Sequence, residues 1–218
     1  MSKRGAFIVI EGLDRSGKST QTALLLSRLE SARIPAKLLK FPDRTTAIGK
    51  MIDSYLKSQS DLDDHAIHLL FSANRWELAS SIEHLLAAGT TVVCDRYAFS
   101  GIAFSASKGL PYEWCRAPDV SLPAPDLAVF LDITPEAAKA RGGYGEERYE
   151  KEEMQRRVRE VFRRIGEEIK GSGLGAWVWV DAGREKGVVA EEVWGHVELL
   201  ARGVEGPLCR LWTDEIPA

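Results

Sequence analysis

Short runs of consecutive apolar residues alternate along this chain with longer stretches in which apolar residues recur every three to four positions. The short runs at 7–10, 37–41, 91–94, 127–132 and 178–180 have strand length, and several are apolar throughout, as strands covered on both faces must be. Between them the period predicts helices at 19–32, 46–58, 63–88, 147–170 and 188–201. In the fourth, Met154, Val158, Val161, Phe162, Ile165 and Ile169 form one stripe and leave the Arg and Glu residues on a solvated face. Alternation of this kind predicts an α/β fold: a doubly wound parallel sheet of five strands with helices on both faces. The segment from Gly203 onward carries Leu208, Leu211 and Trp212, and its placement stays open.

Length and composition narrow the classes. A chain of 218 residues, 44% of them apolar, fits one domain. A net charge of −3 does not suggest a basic surface for nucleic acid. The apolar runs at 6–10 and 127–131 fall far short of the roughly 20 residues of a membrane helix. The first residues lack a signal-peptide core, and the three widely spaced cysteines form neither a disulfide framework nor a zinc pattern. The expectation is a cytosolic protein, with nuclear and mitochondrial pools left open, and with neither membrane nor nucleic acid as partner.

Gly12-Leu13-Asp14-Arg15-Ser16-Gly17-Lys18-Ser19 follows the first strand and opens the first helix, which is the context a phosphate-binding loop requires. Its glycines let backbone N–H groups face phosphate oxygens, and the helix adds its positive end. Asp14, Arg15, Ser16, Gly17, Lys18, Ser19 and Thr20 therefore form the expected phosphate cradle for ATP or GTP. Lys18 would reach the β and γ phosphates, and the Ser19 hydroxyl would hold Mg²⁺.

What the nucleotide is used for follows from what is missing. A guanine-reading Asn-Lys-x-Asp segment is absent, since the sole asparagine is Asn74, followed by Arg75. No Asp-Glu pair ends a strand to activate water: Asp95 and Asp132 are followed by Arg96 and Ile133. Phosphoryl transfer to a bound acceptor remains favoured, and it asks for arginines around a second site. Phe41-Pro42-Asp43-Arg44, Phe71 to Arg75 and Asp95-Arg96-Tyr97 supply them.

With these blocks the chain resembles the thymidylate kinase family, whose members phosphorylate dTMP with ATP. The resemblance rests on the cradle from Glu11 to Thr20, the Phe-Pro-Asp-Arg block, Asp95 to Gly101, Leu122 to Leu127 and Gly145 to Glu150. It implies a strand order of 2-3-1-4-5, a lid at about 141–150 and a homodimer. It also implies that Arg44 and Arg96 clamp the acceptor phosphate, Phe71 stacks on thymine and Arg75 bonds a base carbonyl. Phe41, Gly101, Phe104, Ser105 and Tyr149 complete the pocket, Tyr97 crowds the sugar 2′ position, and Asp14 bonds the 3′-hydroxyl. Asp95, with Ser19, organises Mg²⁺. Arg15, Lys18, Asp95 and Arg96 form the implied catalytic set.

Arg15 inside the cradle resembles the eukaryotic type of the family, because the lid core 142–147 carries no basic residue although Arg141 and Arg148 flank it. Arg141, Arg148 and Arg184 would lie toward the adenine and lid. Residues 1–203 would form the catalytic domain and 204–218 a tail. A kinase of another nucleoside monophosphate or of a deoxynucleoside, and a nucleotide-binding module without transfer activity, stand as alternatives on the same fold.

Overall fold

The computed structural model describes residues 3–141, 148–149 and 151–213. Strands β1 (Phe7–Gly12), β2 (Ala36–Lys40), β3 (Thr91–Asp95), β4 (Leu127–Asp132) and β5 (Ala176–Asp181) form one sheet in the order β2-β3-β1-β4-β5. Every pairing is parallel. The uniformly apolar runs are the central strands, and all of β1 and β3 is buried. β2 and β5, at the edges, are partly exposed.

Helices α1 (Lys18–Ser31), α2 (Ala47–Leu56), α3 (Asp64–Ala87), α4 (Ala98–Ala106), α5 (Tyr112–Arg116), α6 (Pro135–Ala140), α7 (Glu152–Ser172) and α8 (Lys186–Ala201) surround the sheet. α1 and α8 pack together over one face, and α3, α4 and α7 cover the other. Two of the predicted helices open on side-chain caps: the Thr46 hydroxyl accepts from the Gly49 N–H at 2.9 Å, and Asp63 accepts from the His65 N–H at 2.8 Å. The helix expected from residue 147 begins at Glu152, because Arg148 and Tyr149 occupy a turn. α4, α5 and α6 were not predicted by the period. α5 and α6 are short, and α4 is buried on all sides, so its sequence carries no polar stripe to mark the period.

The segment after Gly203 packs on the body as far as it is described. Val204 pairs with Arg4 and Arg210 with Pro123 in antiparallel bridges, and Leu211 and Trp212 are buried against the main core. Residues 214–218 lie outside the described residues. Among the described residues no helix is long and apolar enough to cross a membrane.

Candidate active site

The carboxyl ends of β1, β2 and β3 open into a cavity of about 320 Å³. In an open α/β sheet this is where ligands bind, beside the point at which successive strands take opposite sides of the first. β3 and β4 flank β1 here, so the cradle leaving β1 and the Asp95-Arg96 step leaving β3 lie side by side.

The cradle is shaped by its backbone. Gly17, directly before α1, has φ 94°, a left-handed conformation that favours glycine. Arg15 at φ 62° and Arg96 at φ 69° adopt the left-handed region without being glycine, which costs on the order of 1–3 kcal/mol each and is typical of functional turns. Lys18 is buried, and its Nζ donates to the carbonyls of Gly12 at 3.2 Å and Leu13 at 2.7 Å. Burial, with the Arg96 charge nearby, lowers its pKa to about 8. Ser19 donates its hydroxyl to Asp95 Oδ2 at 2.8 Å. A hydroxyl and a carboxylate side by side form the hard-oxygen pair that suits Mg²⁺, and with phosphate oxygens they could hold it.

Arg96 is held from three sides: it donates to the Gly12 carbonyl at 3.3 Å, to Ser100 Oγ at 3.0 Å and to Asp14 Oδ1. Ser100 in turn donates to Glu11 Oε2 at 2.6 Å. Glu11 is fully buried, and its other oxygen accepts the N–H groups of Tyr97 at 2.9 Å and Ser100 at 3.1 Å. Those amides open α4, so a carboxylate at the end of β1 caps a helix that follows β3. Burial raises the Glu11 pKa, while the Ser100 hydroxyl, Arg96 and the two amides pull it down. Asp14 is equally tied: its Oδ2 accepts from Gln155 Nε2 at 2.7 Å, and its N–H donates to Gln155 Oε1 at 3.0 Å.

On the far side of the cavity Arg75 lies flat against α4. Its Nε and Nη2 donate to the buried Asp119 carboxylate at 3.0 and 2.6 Å, and Asp119 also accepts the Ser72 hydroxyl at 2.7 Å. Gly101 makes room for this guanidinium, since a Cβ there would lie 2.8 Å from Nη2. Phe71 and Phe104 supply apolar wall, and Tyr149 packs on Phe104 with ring centroids 5.3 Å apart. Tyr97 is buried against Phe7 and Phe41, and its hydroxyl donates to the Pro123 carbonyl at 3.1 Å. The loop that carries Phe41 and Arg44 is fastened by Asn74: Asn74 Oδ1 accepts the Asp43 N–H at 2.7 Å, and its Nδ2 donates to Thr46 Oγ at 3.1 Å. Arg44 pairs with Asp53 at 2.7 Å.

All eleven residues expected for dTMP line this one cavity, together with Arg15, Lys18, Ser19 and Asp95. The flanking arginines divide. Arg141 bridges the carbonyls of Arg15, at 3.0 Å, and Ala182, joining the cradle to the loop after β5. Arg184 pairs with Glu192 beside that loop. Arg148, grouped with them from the sequence, is placed elsewhere: its Nε donates to the Tyr55 carbonyl at 3.0 Å and its Nη2 to Asp61 at 2.6 Å, at the end of α2. The reason is local, since the Tyr55 ring stacks beneath its guanidinium at 4.2 Å. The expected lid core, 142–147, lies outside the described residues, as does Glu150. Sequence reasoning assigned no role to Glu11, Asp119 or Gln155. Glu11 stood in the quoted cradle, and a charged residue ending an apolar strand was its one available signal.

Comparison with known proteins agrees with this fold. The family model described as thymidylate kinase matches residues 10–193. The thymidylate kinase of Schizosaccharomyces pombe is 60% identical over 176 residues, covering 80% of this chain and 84% of that one. The human thymidylate kinase is 46% identical and covers 97% of this chain and 99% of its own. The solved structure of the Candida albicans thymidylate kinase superposes with a TM-score of 0.87 at 38% identity, covering 96% of this chain and 99% of that one.

Proposed function

The chain belongs to the thymidylate kinase family, and from that membership we propose how its cavity moves the γ-phosphoryl group of ATP to dTMP, giving ADP and dTDP. One observation carries the reading: the cradle residues Lys18 and Ser19 and the acceptor residues Phe71 and Arg75 line the same cavity, as do Arg96 and Asp14, which pair with each other. Two nucleotides bound there would meet phosphate to phosphate.

A phosphate monoester has its second pKa near 6 and is largely dianionic at pH 7, so no general base is needed. The work is alignment of two anions that repel each other. Arg44 and Arg96 clamp the acceptor phosphate with planar forks of donors. Lys18 and the cradle amides hold the β and γ phosphates, and Arg15 adds charge where it develops during transfer. Ser19 and Asp95 are the residues that would hold Mg²⁺, which when bound would neutralise phosphate charge. Phe71 stacks on the base, Arg75 donates to its carbonyl, and Asp14 takes the 3′-hydroxyl.

We further propose a homodimer. It is supported by Leu69 and Trp76, exposed at 47% and 41% and seven residues apart on one face of α3. Sedimentation of the purified chain as a monomer at working concentration removes this part. A cytosolic location fits the free thiols of Cys94, Cys115 and Cys209.

The test of the activity is ADP release measured with dTMP, dUMP, UMP, CMP, AMP and thymidine as acceptors. Turnover of dTMP well above the rest is expected. Negligible turnover of dTMP beside rapid turnover of another acceptor refutes the reading.

A further inference from the structure

His68, on α3, lies behind the cavity wall and is fully buried. Both ring nitrogens are engaged. Nε2 is 2.8 Å from the Cys115 carbonyl oxygen, and Nδ1 is 2.8 Å from Ser105 Oγ. A carbonyl oxygen only accepts, so Nε2 carries the hydrogen. Burial and the Arg75 guanidinium hold the imidazole pKa below the ordinary histidine value, outweighing the Asp119 carboxylate and the Cys115 carbonyl, which favours the neutral ring. Nδ1 is therefore a bare acceptor, and Ser105 must give it the one hydrogen its hydroxyl has. Trp114 packs on the ring at 5.3 Å and keeps it in place.

The same hydroxyl elsewhere in the chain behaves differently. Ser107, two residues on, returns its hydrogen to the Ala103 carbonyl at 2.7 Å within its own turn. Ser105 sends its hydrogen across to α3, and what its oxygen has left is acceptor capacity alone. Ser105 lines the cavity alongside Arg75, whose guanidinium can only donate. The wall thus offers a fixed donor and a fixed acceptor. A pyrimidine edge with a carbonyl beside an N–H complements that pair. An edge with an amine beside a bare ring nitrogen sets donor against donor and acceptor against acceptor.

We propose that His68 is a specificity-determining positioning residue: by fixing the Ser105 hydroxyl as an acceptor, it tunes the pocket to pyrimidines whose N3 bears a hydrogen, thymine and uracil, and against cytosine. The proposal rests on the assignment of this cavity to the nucleotide acceptor. A site that must pair a buried polar group rejects the mismatched analogue far more strongly than one that merely fits its shape.

Two measurements on the full chain test it. Nitrogen-15 NMR of the imidazole in the unsubstituted protein should show the Nε2–H tautomer, and an Nδ1–H tautomer overturns the proposal whatever any variant does. In kinetics, His68→Leu should lower the ratio of kcat/KM for dTMP to that for dCMP by roughly tenfold or more while leaving KM for ATP unchanged. Ser105→Ala should lower that ratio comparably, and the double variant no further, because both changes remove one device. A folded His68→Leu with the unsubstituted ratio overturns the proposal and leaves the dTMP kinase reading standing. If the unsubstituted protein fails to phosphorylate dTMP, the function reading falls and this inference with it.

Discussion

Replacing Gly101 by alanine perturbs Arg75, the arginine proposed to read the base, without touching any charge. The added Cβ would lie 2.8 Å from Arg75 Nη2, 3.0 Å from Nη1 and 3.2 Å from Cζ. The tip of a long side chain would ordinarily swing aside. This one is held by two bonds to Asp119, itself fully buried, so the methyl group must displace either the ion pair or α4. Overpacking of this kind costs about 1–3 kcal/mol. Alanine regains about 1 kcal/mol of helix propensity at an interior position, so net destabilisation should stay within about 2 kcal/mol. For a chain of this size that is a fall in Tm of roughly 8 °C at most. The displaced guanidinium should be felt in the acceptor, where about 1.4 kcal/mol is tenfold in affinity. Steady-state kinetics should therefore show KM for dTMP raised roughly tenfold or more, with KM for ATP nearly constant. Gly195→Ala is the control, because nothing lies within 4 Å of its added Cβ, and it should be neutral or slightly stabilising. A folded Gly101→Ala with unaltered KM for dTMP would show that the guanidinium yields freely or reads no base, and the argument would be wrong.

Three further outcomes follow from the site. Glu11→Ala leaves the Tyr97 and Ser100 N–H groups and the Ser100 hydroxyl without their acceptor, so it should cost about 1–3 kcal/mol and lower Tm by roughly 2–12 °C; an unchanged melting curve contradicts the capping role. Lys18 is charged below its pKa of about 8 and neutral above it, and the charged form attracts phosphate, so kcat/KM for ATP should decline as pH rises past about 8; a profile flat to pH about 9.5 excludes that titration. Arg15→Gly should lower kcat far more than it raises KM for ATP, because charge develops on the phosphates during transfer; a normal kcat removes Arg15 from the catalytic set.

The sheet was legible because its strands are buried on both faces and so read as unbroken apolar runs, Phe7 to Ile10 most plainly. α7 was legible for the opposite reason, having one apolar stripe on an otherwise charged helix. α4 escaped both patterns, since eight of its nine residues are buried and none marks a solvent side. In the site, residues gathered in short blocks, such as Gly12 to Ser19 and Asp95 to Tyr97, announced their chemistry locally. Their partners did not. Asp119 reaches Arg75 across 44 residues and Gln155 reaches Asp14 across 141, and no local pattern encodes either meeting. Arg148 shows the converse: its place in the sequence, beside the expected lid core, gives no hint of the Tyr55 ring that packs on it.

Asp14 belongs by its main chain to the donor loop and by its side chain to Arg96 and Gln155. With a nucleotide bound on each side, this single carboxylate would carry any influence of one on the other. Thermodynamic linkage then makes the influence mutual: whatever factor ATP imposes on the affinity for dTMP, dTMP imposes on the affinity for ATP.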